Sequence, residues 1–203
     1  NQLYDGLVAF DDELNVVPAL AKSWEIDSLG TTYTFHLRDK VFFHPNSCFA
    51  PNTTRKMKAQ DVQYSLERIM AAETASPGRW VLEQVDWENR GVQVLDDSTL
   101  TITIKQVTPY FLGLLAMDYC SVVPHEAVTK YGKDFRSNPV GTGPFKLFLW
   151  KEGVKLVLHK HTEYFQEDAE GNKLPYLNAV SVSFLKDVNT NFLQFKQQKF
   201  DLL

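Results

Sequence analysis

Apolar and polar positions alternate with a period of two in two short stretches. Thr32-Tyr33-Thr34-Phe35-His36-Leu37 is β-branched and aromatic and reads as a strand. Val180-Ser181-Val182-Ser183-Phe184 alternates in the same way. Two longer patterns read as hairpins, an apolar run, a polar turn and a second apolar run. The first joins Gly91–Leu95 to Leu100–Ile104 across Asp96-Asp97-Ser98. The second joins Lys146–Trp150 to Val154–Leu158 across Lys151-Glu152-Gly153. From Asp61 the period lengthens. Val62, Leu66, Ile69 and Met70 fall at i, i+4, i+7 and i+8, the apolar face of a helix ending near Ala72. Thr74-Ala75-Ser76-Pro77-Gly78 then stops it with strong turn chemistry. Asn189 to Lys196 is also helical, with Phe192 and Phe195 on one face.

Shorter pieces rest on local signals. In Asn1–Phe10 a helix end turning into a strand is expected, with Gly6 as a left-handed cap. Pro18 is expected to open a short helix, Ala19–Trp24. Arg38-Asp39-Lys40 breaks the Thr32 strand, and Val41–His44 resumes it; Pro45–Met57 is a loop. Thr108-Pro109 signals a helix start over Tyr110–Met117, the hydroxyl as cap. Tyr119–Val123 reads as a buried strand, and Pro124 begins a helix over His125–Tyr131 that Gly132 caps. Asp168–Asn172 is a polar turn. Phe200–Leu203 starts an apolar strand, and a fold rarely stops inside one, so further chain is expected beyond Leu203. The opening Asn1-Gln2-Leu3-Tyr4 falls in mid-pattern and reads as a fragment of a mature protein.

The 203 residues suffice for one large domain or two small ones. With 44% hydrophobic and 23% charged residues, the composition is that of an ordinary soluble globular chain. A net charge of −4 provides no basic footprint, which argues against nucleic acid as a partner. No apolar run approaches the ~18 residues of a membrane span.

Reactive groups are sparse. Cys120 sits in an apolar run and is expected as a buried thiol; Cys48 lies in a Pro/Asn/Ser loop, and a disulfide between them stays open. His159 and His161, two apart on a strand, share a face. Zinc needs three or four ligands, so a solvated face is the reading. His36 and His44 are expected in strands, packed or hydrogen-bonded. His125-Glu126 lacks the second His of a zinc-protease motif. No Ser-His-Asp arrangement, phosphate loop or carboxylate pair follows from spacing, so neither an enzyme nor a cofactor is indicated.

Asn138-Pro139-Val140-Gly141-Thr142-Gly143-Pro144-Phe145 brackets two glycines with two prolines, a rigid bend with exposed amides. The string resembles an element of the extracytoplasmic solute-binding proteins for peptides and nickel, the receptors of ABC importers. Four further blocks are similar in order: Asn1–Asp12, Pro18–Trp24, Thr31–His44 and Lys58–Val62 with Ser65–Arg68. Two departures stand out: Lys58 replaces a Thr helix cap, and the loop Asn46–Arg55 is longer.

The resemblance implies a mixed α/β fold of the two-lobed (type II) periplasmic-binding-protein kind with an extra subdomain. Residues 1–124 would be that subdomain, built on an antiparallel sheet, and residues 125–203 an incomplete part of its parent lobe. The implied function is non-enzymatic binding of di- or oligopeptides, outside the cytoplasm, for a membrane ABC permease. Such a protein is expected to act as a monomer, periplasmic or anchored at the cell surface. Nickel chelates or sugars are alternative ligands, and an enzyme fragment with its catalytic residues elsewhere is an alternative class. Thr74–Pro77 resembles a segment that precedes an aromatic ligand contact in oligopeptide receptors. Gly78, Arg79 and Trp80 follow it here. Arg79 would pair a peptide carboxylate and Trp80 would cover a side-chain pocket, against the plainer reading of a solvated Arg beside a packed Trp.

Overall fold

The computed structural model describes residues 2–185 and 187–202. Its chain order is β1 (Val8–Phe10), β2 (Val16–Pro18), β3 (Ala21–Ile26), β4 (Thr32–Leu37), α1 (Ala59–Met70), β5 (Val92–Asp96) and β6 (Thr99–Thr103). There follow α2 (Phe111–Leu115), α3 (His125–Tyr131), β7 (Phe145–Lys151), β8 (Lys155–Lys160), β9 (Ala179–Ser183) and α4 (Val188–Lys196). Short 3-10 turns fill several connections, among them Arg79–Leu82 and Asp118–Cys120.

The strands form the pair β1-β2, a four-stranded sheet in the order β3-β4-β6-β5 and a three-stranded sheet in the order β7-β8-β9. Every described strand pair is antiparallel. The alternation of β4 sends Tyr33, Phe35 and Leu37 into the core, where Leu100 and Ile102 of β6 join them. Val62, Leu66 and Ile69 of α1 belong to the same cluster, so the helix stripe seen in the sequence packs into the core that the sheet builds. The ammonium side chain of Lys58 cannot accept a hydrogen bond as a capping Thr would. The start of α1 is satisfied instead by Asp61, whose Oδ2 accepts from the Lys58 backbone N–H at 2.9 Å.

Both hairpins, α1, α3 with Gly132 at its end (φ +50°), the Asp168–Asn172 turn and α4 fall where the patterns put them. Several short pieces do not. Ala19–Trp24 is not a helix: β3 starts at Ala21 and pairs with β4. The open edge of β4 supplies a ladder that outweighs the local Pro signal, a tertiary override of propensity. Residues 2–7 contain no helix end, and Gly6 is not left-handed. Val41–His44 holds only an isolated bridge, Phe42 to Lys56. Thr108 does not cap α2; its Oγ1 donates to the Gln106 carbonyl. Tyr119–Val123 is a 3-10 turn followed by extended chain, and Tyr119 is exposed. Phe200–Leu202 forms no strand; Asn1 and Leu203, the outer ends of two expected elements, lie outside the described residues.

Candidate functional site

The Asn138–Phe145 bend is the junction of the chain. The segment 2–5 runs across it, with Gly143 N–H donating to Leu3 O (3.1 Å) and Phe145 N–H to Gln2 O (3.0 Å). The approach is so close that a Cβ on Gly141 would lie 2.1 Å from Leu3 O, and one on Gly143 2.6 Å from Leu3 C. Only glycine fits there. Thr142 Oγ1 donates to Asp5 Oδ2 (2.7 Å) and the Tyr164 hydroxyl to Asp5 Oδ1 (3.3 Å). Burial pushes the Asp5 carboxyl above its ordinary pKa, and these two donors only partly offset it. Nothing in the sequence pattern marks Asp5, because its partners are far along the chain.

His44 is buried beside this bend, as packed and hydrogen-bonded as expected but outside any strand. Its Nδ1 accepts from Gly141 N–H (3.3 Å), so Nε2 carries the proton and donates to Gly143 O (2.9 Å). His161 overturns the reading of a solvated face: it is 1% exposed. β8 ends at Lys160, and the chain turns inward as His161 N–H donates to Pro144 O (2.8 Å). Its Nδ1 reaches Gly143 O at 3.2 Å, and its Nε2 has no partner. His159 remains on β8, stacked on Phe148 with ring centroids 4.0 Å apart.

Asp61, His125 and Glu126 bring ligand atoms within 4.8 Å of one another, a metal-sized cluster. A cation already holds two of them. Arg55 forks onto Asp61 (Nη2–Oδ1 2.6 Å) and Glu126 (Nε–Oε1 2.5 Å), with its guanidinium over Phe43 and Phe49. Cys48 and Cys120 are both free thiols, and burial raises the Cys120 pKa to about 12. Both are therefore poor nucleophiles at neutral pH.

At the Gly78 turn the three proposed residues are consecutive but unlike. Gly78 is buried, while Arg79 and Trp80 are exposed, Trp80 by 49%. Arg79 forms no ion pair among the described residues. The 3-10 turn begins here because Val81 N–H donates to Gly78 O (3.0 Å), which sends Val81 and Leu82 into the core and leaves the two preceding side chains outside. Two open grooves lie elsewhere. One of about 510 Å³ runs along Gln63, Glu67, Trp87 and Arg90–Val94. The other, about 310 Å³ and apolar, is lined by Pro144, Phe145, Tyr164 and Leu174–Leu177.

Residues 15–203 match the family model of bacterial extracellular solute-binding proteins, family 5 Middle. The chain belongs to this family. It is 32% identical to heme-binding protein A of Haemophilus influenzae, over 100% of this chain and 38% of that protein. It is 29% identical to the dipeptide-binding protein of Escherichia coli, over 99% of this chain and 38% of that protein. A solved structure, the ABC transporter-associated periplasmic binding protein DppA from Helicobacter pylori in complex with peptide STSA, superposes with a TM-score of 0.81. It shares 32% identity and covers 98% of this chain and 40% of that one. The family 5 chain described here thus spans about two-fifths of the length of such relatives. Its fold is part of a two-lobed periplasmic binding protein, mixed α/β, as the resemblance implied. The extracytoplasmic location also follows from the family, whose members are extracellular. Among the described residues no helix is long and apolar enough to cross a membrane.

Proposed function

We propose that this chain forms part of an extracytoplasmic receptor that binds di- or oligopeptides without chemistry and delivers them to a membrane ABC permease. The observation that carries the reading is the likeness, over nearly the whole chain, to a binding protein solved with a peptide bound. The turn Gly78-Arg79-Trp80 is proposed as one wall of the cleft: its cation and its indole face solvent, with their backbone anchored by buried neighbours. Residues 1–124 are proposed as the extra subdomain and 125–203 as part of its parent lobe, the whole acting as a monomer with no nucleic-acid partner. Small-ligand sites bury most of the ligand, so the 203-residue chain by itself is expected to bind peptide weakly or not at all. A haem ligand is the second reading, because a relative of similar identity is named for haem.

Mass spectrometry of whatever co-purifies with the full-length protein tests the proposal, followed by calorimetry with di- and tripeptides and with haem. Bound peptides and peptide heats support it. Haem, or a metal chelate, in their place moves the function to another ligand class of the same family.

A further inference from the structure

Resting on the peptide-receptor reading, we infer that Tyr119 is a specificity-determining residue of the same wall, selecting ligands with a large apolar or aromatic side chain. The observation is the fit between Tyr119 and Gly78. A Cβ on Gly78 would lie 2.3 Å from Tyr119 Cγ, 2.5 Å from Cδ1 and 2.6 Å from Cβ. The tyrosine therefore sits directly on the backbone of the turn that presents Arg79 and Trp80. The turn needs glycine for the ring to reach it, although Gly78 has an ordinary φ of −87°. The constraint is steric contact, not backbone conformation.

Packing against Gly78 covers only part of Tyr119, which remains 42% exposed; Trp80, two residues from Gly78, is 49% exposed. Neither ring is paired with another aromatic ring among the described residues. The Trp80 indole N–H and the Tyr119 hydroxyl have no protein partner there either. Two large rings with open faces and unused polar ends thus belong to the turn that carries Arg79 and to the residue packed on its backbone. Tyr and Trp in this state offer apolar area together with a hydrogen bond, the usual chemistry of a binding surface.

The position of Tyr119 is well fixed. Cys120 behind it is buried, its N–H donating to Met117 O (2.9 Å), and Val122 N–H donates to Asp5 O (2.9 Å). The ring is thus tied through Val122 to the same segment that crosses the Gly141–Gly143 bend. A ring on an anchored backbone, seated directly on Gly78, can discriminate between side chains.

Calorimetry on the full-length protein with the dipeptides Ala-Ala and Ala-Phe tests this. Tyr119→Ala is expected to weaken Ala-Phe about tenfold, the scale of one aromatic pairing, and Ala-Ala by less than about threefold. Tyr119→Phe keeps the ring and is expected to retain the preference; equal thermal melting of the two variants shows that the fold is intact. Gly78→Ala, which displaces the ring, is expected to lose the preference as Tyr119→Ala does. If the wild type binds both dipeptides and Tyr119→Ala leaves their ratio unchanged, the specificity role is overturned and the receptor reading stands. If the wild type binds neither, the receptor reading falls, and this inference with it.

Discussion

His44 and His161 meet edge to face, 4.9 Å between ring centroids, and both direct a ring N–H at the same carbonyl oxygen, that of Gly143. Both imidazoles are neutral. Burial lowers the His44 pKa to about 3 and also lowers that of His161, more than the Gly143 carbonyl raises them. A histidine whose folded pKa lies below its unfolded value near 6.5 takes up its proton first in the unfolded chain. Its stabilisation is complete above pH ~6.5 and is lost as pH falls toward the folded pKa. Asp5, with its raised pKa, acts in the opposite sense, and it is common to the wild type and to a His44 variant. Between pH 7.5 and pH 5, His44→Gln should therefore lose less stability than the wild type, by about 2 kcal/mol, the product of ~1.4 kcal/mol per unit and ~1.5 units. Urea unfolding at the two pH values measures it, and identical losses in both proteins would refute the neutral, buried assignment.

Arg55 offers a different test. Burial opposes its charge, yet the hydrogen bonds it donates to Asp61 and Glu126 hold its pKa above the usual range. Asp61 is 4% exposed and also serves the start of α1. Arg55→Met would leave that carboxylate buried without a cation, at a cost of about 3 kcal/mol. Arg55→Lys places one ammonium where a fork spans two carboxylates and should recover only part of the loss. Chemical denaturation of the three proteins gives the order directly, and an Arg55→Met midpoint equal to wild type would contradict it.

Long periodic elements were legible in the sequence because their pattern reports the face they bury. The α1 stripe and the β4 and β6 alternation are examples. β3 was not, because it exists only by pairing with β4, and Pro18 next to it carries a helix signal. Tyr119 lay in an apolar run and read as core, but the 3-10 turn at Asp118–Cys120 rotates it outward. His161 follows His159 by two, which implies one face only while the strand lasts, and β8 ends between them. The junction around Asp5, His44 and Gly141–Gly143 joins residues nearly 140 positions apart, and a single sequence carries no signal of such contacts. For the site, sequence chemistry suggested Arg79 and Trp80, but their exposure depends on where the turn closes.

Two loops share one construction. Asp11 accepts from the N–H groups of Glu13 and Asn15, and Asp168 from those of Glu170 and Asn172, each aspartate also bonded by the Asn side chain. The fourth residue is left-handed in both: Gly171 at φ +84° and Leu14 at φ +65°. Leucine there carries the Cβ–carbonyl clash, about 1–2 kcal/mol, and Leu14 is 76% exposed, so little burial offsets it. After the entropy cost of glycine, Leu14→Gly should stabilise by about 0.5–1 kcal/mol. Gly171→Leu should destabilise by a similar amount, since space for the side chain is open there. Thermal melts of the pair that move in the same direction would show that the two loops are not equivalent.

Trp80 separates the receptor reading from the plainer one most cleanly. A core tryptophan, when truncated, leaves a cavity and costs about 3–5 kcal/mol of stability. Trp80 is 49% exposed, while its neighbours Val81 and Leu82 are fully buried and hold the turn. Trp80→Ala should therefore change the melting temperature little. If a peptide covers the indole in the full-length protein, the same substitution removes the burial of a large apolar side chain and should weaken binding by about 1–3 kcal/mol. Ligand should also shift the tryptophan emission of the wild type, and that shift should shrink in the variant. The contrast is internal to one variant: affinity falls while stability holds. Unchanged affinity with unchanged stability would make Trp80 an idle surface residue, and a stability loss of several kcal/mol would place it in the core, against the exposure seen at the Gly78 turn.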